Sequence, residues 1–396
     1  MVIKDKRRIN YLDGIRGVAA LLVVFGHFRN AFFDYGANAY LSRNFWSVFN
    51  HFFLSAEFCV EVFFVLSGFI LTYNSIHRPS FLAKQWSKRF YRLFVPVFIS
   101  SLLYFIFIHN NLIFFKELST IHSTNWVNKQ WTSEYTFMGF LTGSVYSLMI
   151  LSDARFILNS NSALWTIPIE FYWSYCLFLC LWLLKFIKII FLQNLLISVA
   201  VLSVIHFALF KGAMYGVLFL GGALLAINFS VLVSFFTGKK KYYLFIFTLV
   251  ITCCVDQKWL PEISHVSFRW SYLVAILYVF CAMAIIKIQQ LFSAKFIQWL
   301  GRISFALYLL HMLVIASAGS WLYISLPFLR ADAGLFLLLI IILMICLGVG
   351  WLFTKYIDEP LMNLFDIFYK RISKTGRNVK KRNSLILFQA SGFLIS

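Results

Sequence analysis

At 396 residues, with 61% hydrophobic and only 13% charged side chains, the chain excludes a water-soluble globular domain, which carries about 25% charged residues. Phe alone supplies 47 residues, and the mean hydropathy is +0.81. A formal charge of +20 would suit nucleic acid, but the 35 Lys and Arg sit in short clusters between apolar runs, as the positive-inside rule expects of a membrane protein.

Apolar runs close to the about 20 residues that cross a bilayer predict spans at 15–33, 52–73, 93–109, 164–184, 189–209, 213–235, 242–255, 269–287, 297–318 and 333–355. A further apolar stretch, 136–151, reads as a re-entrant or surface helix, or as an extra crossing. The expected fold is an all-α integral membrane protein of about ten transmembrane helices, eleven if 136–151 crosses. With the N-terminus inside, the inner connections hold 24 basic residues and the outer ones nine, so both termini are expected in the cytoplasm. The basic lead and an Ala37-Asn38-Ala39 tripeptide resemble a cleavable signal, but Arg16 interrupts the approach to the apolar run, and cleavage is not expected.

The first span, LDGIRGVAALLVVFGH, carries Arg16 near one end and His27 near the other. Eleven residues at about 100° each return them to one helical face, about 16 Å apart along the axis. Ionised groups in a span are costly and usually face a protein interior. On this segment alone, a snorkelling Arg16 and a structural His27 account for the pattern equally well. In the second span Glu57 and Glu61 are one turn apart on one face, with Ser67-Gly68 following. Arg89 and Arg92, in KRFYRLFVP, share a face where the third span meets the cytosol. Two guanidiniums there can clamp phosphate oxygens, or can act as an ordinary positive-inside anchor.

The long external connection, about 110–163, mixes Asn125, Trp126, Asn128, Trp131 and Glu134, a surface for carbohydrate stacking or for interfacial anchoring. LWTIPIEFYW then opens the fourth span with Glu170, which can orient an imidazole or a substrate hydroxyl, or pair with a basic residue. GRISFALYLLH puts Tyr308 and His311 on one face of the ninth span, with His311 near mid-depth like His27. The tail after the last span is basic (Lys370 to Arg382), which suits cytosolic retention or anionic lipid. The seven cysteines form no CxxC pair and read as small buried hydrophobes, with no metal site and no disulfide framework implied. No GxSxG elbow, phosphate loop, HExxH helix or GxGxxG turn occurs.

Five of these motifs, LDGIRGVAALLVVFGH, FFVLSGFIL, KRFYRLFVP, LWTIPIEFYW and GRISFALYLLH, occur in the order found in acyltransferase family 3. The sequence resembles these integral membrane O-acyltransferases of bacterial surface carbohydrates from Leu12 to about Pro360. The resemblance implies His27 as catalytic histidine, Arg16 as its paired arginine, and Arg89 and Arg92 as the cytoplasmic acyl-CoA site. It matches Glu170 to the acidic residue of the Trp motif and Tyr308 with His311 to the late-span motif. Glu57 and Glu61 are kept as substrate-binding or supporting candidates. Two departures stand out: Trp-Thr-Ile-Pro-Ile-Glu replaces Trp-Ser-Leu-x-Val-Glu, and Glu359 replaces the basic residue before Pro360, so Asp358 is assigned no role.

The expectation is a multi-pass acyltransferase of the bacterial inner membrane, with residues 1–366 as the membrane domain and 367–396 as a basic cytoplasmic tail. It would carry an acyl group, acetyl from acetyl-CoA by default, to a hydroxyl of a surface or lipid-linked carbohydrate, without a metal or nucleic acid. His27 would serve as general base. A transporter or flippase of lipid-linked sugars, using the same residues as a polar pathway, is the alternative.

Overall fold

The computed structural model describes residues 10–33, 56–77, 82–121, 126–127, 136–141, 144, 161–187, 189–206, 214–256 and 269–371. Asn125, Asn128, Trp131, Glu134, Ala37 to Ala39, most of 136–151 and the tail beyond 371 lie outside the described residues. Among those residues the structure is helical, with no strand.

The helices, in chain order, are α1 (Asn10–Phe32), α2 (Ala56–His77), α3 (Leu82–His109), α4 (Phe115–Ile121), α5 (Thr166–Leu184) and α6 (Ile190–His206). There follow α7 (Gly216–Ile227), α8 (Phe229–Phe235), α9 (Lys240–Asp256), α10 (Trp270–Ala284), α11 (Ile286–Phe292), α12 (Lys295–Val314), α13 (Ser320–Ser325) and α14 (Asp332–Phe353). Six stretches are long and apolar enough to cross a membrane, or up to eight if each of two bent pairs is one span. The sequence pattern predicts ten. The difference falls on α6 and α9, each 17 residues, whose rise of about 26 Å is short of the about 30 Å hydrocarbon core.

The two bent pairs have visible causes. Helices α7 and α8 meet at 72° where Asn228 interrupts the run. Its amide exchanges two 2.9 Å hydrogen bonds with Asn194 of α6. Helices α10 and α11 meet at 95° at Ile285, whose backbone is extended, and the Gln289 amide donates to the Met283 carbonyl left at the break. Both satisfy backbone or amide groups that a bend would otherwise strand in an apolar setting.

At the centre stands α12, running through a π-helical turn (Ile315–Gly319) into α13; 89% of its most apolar stretch is buried, against 33% for the outer span that includes α14. Helix α1 packs along it in parallel, Asp13 and Gly17 beside Gly301 at one end and His27 beside His311 at the other. The approach is close because both contact residues lack a side chain. A Cβ at Gly17 would lie 2.4 Å from the Gly301 nitrogen, and one at Gly301 would lie 2.3 Å from the Asp13 carbonyl oxygen. Small residues are the usual means by which membrane helices bring backbones together.

Candidate active site

Arg16 and His27 both lie within the unbroken helix α1, so the expected shared face holds. Their surroundings differ. Arg16 lines a cavity of about 220 Å³ together with Lys88, Arg89 and Arg92 of α3 and Ser67 and Asn74 of α2. Four cationic side chains thus meet one chamber. Helix α3 begins at Leu82, well before the predicted span, and its 28 residues rise about 42 Å, beyond what the hydrocarbon core needs. Its first turns, with Lys88 and Arg89, can therefore stand at the membrane surface while Arg92 faces inward. Pro96, one turn later, has no N–H to give the Arg92 carbonyl.

Arg89 is held rather than loose. Its Nη2 donates to Glu170 Oε1 at 2.5 Å and its Nε to Ser174 Oγ at 3.0 Å, while Ser67 Oγ donates to the same carboxylate oxygen at 3.2 Å. Of the roles expected for Glu170, pairing with a basic residue is the one seen, and the carboxylate bonds neither histidine. Ser174, one turn after Glu170 on α5, is a member of this group that motif reading left aside, and Ser67, noted in the second span, had no role assigned there. Their small hydroxyls are legible only once α2, α3 and α5 are packed together.

A narrower cavity of about 30 Å³, roughly the volume of one water, continues from the first. Arg16 and Ser67 line both; beyond them the walls combine Glu170, Thr166, Ser304 and Tyr308 with the apolar side chains of Phe63, Phe64 and Phe305. Tyr308 is fixed by donating its hydroxyl to the Ala163 carbonyl at 2.6 Å, with Thr166 Oγ1 at 2.8 Å. One turn further along α12, His311 is fully buried and its Nε2 lies 2.8 Å from Nδ1 of His27. His27 is half-buried, and the Trp126 ring lies 5.7 Å from it at an interplanar angle of 28°. The expected pairing of Tyr308 and His311 on one face is present, with ring centroids 5.8 Å apart.

Glu57 and Glu61 part company. Glu57 is exposed and forms an ion pair with Arg269 at the start of α10. Glu61 is buried, accepts from Ser271 Oγ at 2.8 Å, and its other carboxylate oxygen has no partner among the described residues. Neither lines the two cavities. Glu359 pairs with Arg302, so a carboxylate where the resembled pattern has a cation is matched by an arginine on α12.

A basic chamber, a small cavity of mixed polar and aromatic lining that reaches Tyr308, and a hydrogen-bonded histidine pair one turn beyond thus follow one another along α1 and α12. The acyltransferase family 3 profile, described as an acyltransferase domain, matches residues 9–355. The chain belongs to acyltransferase family 3. The family is described as an acyltransferase domain, and among the described residues six to eight helical stretches are long and apolar enough to cross a membrane. A protein of Rhizobium radiobacter called "Protein 2 in picA locus" is 34% identical over 106 residues, 25% of this chain and 47% of that protein. The chain therefore spans about half the length of this curated relative. No solved structure matches it.

Proposed function

We propose that the protein transfers acetyl from acetyl-CoA to a hydroxyl of a cell-surface or lipid-linked carbohydrate at the bacterial inner membrane, with His27 as general base. The observation that carries this reading is a four-cation chamber and a second, small cavity that share Arg16 and Ser67, the second reaching Tyr308, one helical turn before the hydrogen-bonded pair of His27 and His311. Phosphates of the donor bind Arg92 and Arg16, while Lys88, whose Nζ holds Asp366 Oδ1 at 3.1 Å, adds charge beside them. The chamber is smaller than the about 300–1,000 Å³ of typical ligand pockets, so it holds part of coenzyme A, and donor binding must widen the small cavity past Arg16 and Ser67 for the thioester arm to approach His27. Arg89, already bonded to Glu170, contributes charge and shape.

The imidazole of His27 takes the proton of the acceptor hydroxyl, whose oxygen attacks the thioester carbonyl. The carbon–sulfur bond breaks, and the departing thiolate recovers the proton from the imidazolium. Such general-base help contributes about 10²–10⁴-fold. Arg16 serves the donor and not the oxyanion, because it is about 16 Å away and helical side chains lean toward the N-terminus, away from His27. Trp126 beside His27 offers a flat face of the kind sugars stack on.

Ten crossings with both termini cytoplasmic remain our reading of the topology, and helix directions support it. Glu57 and Glu61 of α2 meet Arg269 and Ser271 of α10 in parallel order, and Ser67 of α2 meets Glu170 of α5 while Phe63 and Phe64, one turn earlier, line one cavity with Thr166 and Ile167. Phe64 against Tyr215, and Tyr73 against Phe229, set α7 and α8 along α2 in the same sense. Four helices running one way need α3, α6 and α9 to return between them. The basic tail 367–396 then faces the cytosol and anionic lipid.

The test is transfer from radiolabelled acetyl-CoA in proteoliposomes, with thiol release followed in parallel. His27→Ala should abolish both while the protein stays membrane-inserted; wild-type-like transfer would sink the assignment.

A further inference from the structure

We propose that His311 is a positioning residue that fixes the tautomer of His27, leaving His27 Nε2 as the atom that accepts the proton. The proposal rests on the reading of His27 as general base. Nδ1 of His311 lies 2.7 Å from the Tyr308 carbonyl oxygen and 3.3 Å from that of Leu307. Both oxygens only accept, so Nδ1 carries the hydrogen. In an uncharged imidazole the second nitrogen then has only a lone pair, which makes Nε2 of His311 an acceptor. It stands 2.8 Å from Nδ1 of His27. Two lone pairs cannot face each other at that distance, so His27 Nδ1 is the protonated nitrogen. The ring centroids lie 4.9 Å apart, nearly the 2.8 Å nitrogen–nitrogen distance plus the two ring radii, so the bond runs near the plane of both imidazoles, where N–H bonds and nitrogen lone pairs point. What remains on His27 is the bare Nε2.

The arrangement does what a buried carboxylate does for the histidine of a hydrolase triad, holding ring and tautomer so that one nitrogen is left for the proton. Here the partner is uncharged, which suits a depth where an ionised group is costly. The carboxylate that could have played this part, Glu170, is committed to Arg89. His311 is also fixed from behind. It is fully buried on the central helix, and two carbonyls of its own preceding turn hold its ring. His27, which is half-buried and meets the acceptor, is thereby oriented by a group that the acceptor never reaches.

The experiment is nitrogen-15 NMR of the full chain in lipid bilayers, labelled at histidine, with signals assigned by their loss in His27→Ala and in His311→Phe. In the wild type, His27 should be protonated at Nδ1 and bare at Nε2. His311→Phe keeps the bulk and removes the acceptor. The His27 hydrogen should then move to Nε2, with transfer falling by about 10²-fold or more. His311→Gln offers an amide oxygen near the lost Nε2; it should keep the hydrogen on His27 Nδ1 and regain most of the transfer. A wild-type His27 protonated at Nε2, or one that stays protonated at Nδ1 in His311→Phe, overturns the proposal. If His311→Phe does not fold, the wild-type and His311→Gln spectra decide it. Full transfer by His27→Ala would instead overturn the general-base reading, whatever the tautomer.

Discussion

Replacing Gly17 with alanine inserts one methyl group into the contact between α1 and α12. The new Cβ would lie 2.4 Å from the Gly301 nitrogen and 2.6 Å from the Leu300 carbonyl carbon, where ordinary contact begins at 3.4 Å. Both neighbours are main-chain atoms and cannot swing aside, so the helices must part there by about 1 Å. His27 lies ten residues further along α1, about 15 Å away. Carried rigidly, the displacement stretches the 2.8 Å contact between His27 and His311 to about 3.8 Å, beyond what counts as a hydrogen bond. A misplacement of about 1 Å costs roughly 10²-fold in rate, and the strain costs about 1–3 kcal/mol of stability. The assay is the initial rate of acyl transfer in proteoliposomes, beside thermal melting in detergent. Gly348→Ala is the control, since its added Cβ meets no atom within 4 Å, and it should leave both unchanged. Transfer by Gly17→Ala at the wild-type rate would refute the claim that this glycine contact sets the histidine spacing.

Glu170→Ala should leave Arg89 without its counter-charge in a largely buried place, the two side chains being 10% and 17% exposed. Breaking a buried pair costs about 3–5 kcal/mol; with the chamber open to water the lower end is expected, read as a fall in melting temperature and weaker acetyl-CoA binding. A variant as stable as the wild type would remove the pair from any supporting role. Glu57→Gln should do little, because Glu57 and Arg269 are 45% and 54% exposed and such pairs contribute about 0–1 kcal/mol. A large loss of transfer in that variant would return Glu57 to the site.

Much of this could be read from residue order alone, because it is local. Apolar runs, the charge clusters between them and the one-face placement of Arg16 and His27 depend on helical periodicity and hydropathy, which act between near neighbours. Motif order identified the family, and the match over residues 9–355 agrees with it. Periodicity says which residues share a face, and is silent on what that face meets. Thus Glu170 could be expected to serve an imidazole or an arginine, and only packing of α3 on α5 gave it Arg89, 81 residues away. Glu57 and Glu61 share a face, yet the start of α10 drew one into a surface ion pair and the other onto Ser271. The bends at Asn228 and Ile285 likewise lie inside runs that read as straight spans.

The nature of the first span as a membrane helix with one polar face was therefore determined by the sequence. That His27 meets His311, 284 residues later, was decided by the tertiary structure. The physical reason is distance: a hydrogen bond tolerates a few tenths of an ångström, and that tolerance is met only because Gly17 and Gly301 let two backbones approach where side chains would hold them apart.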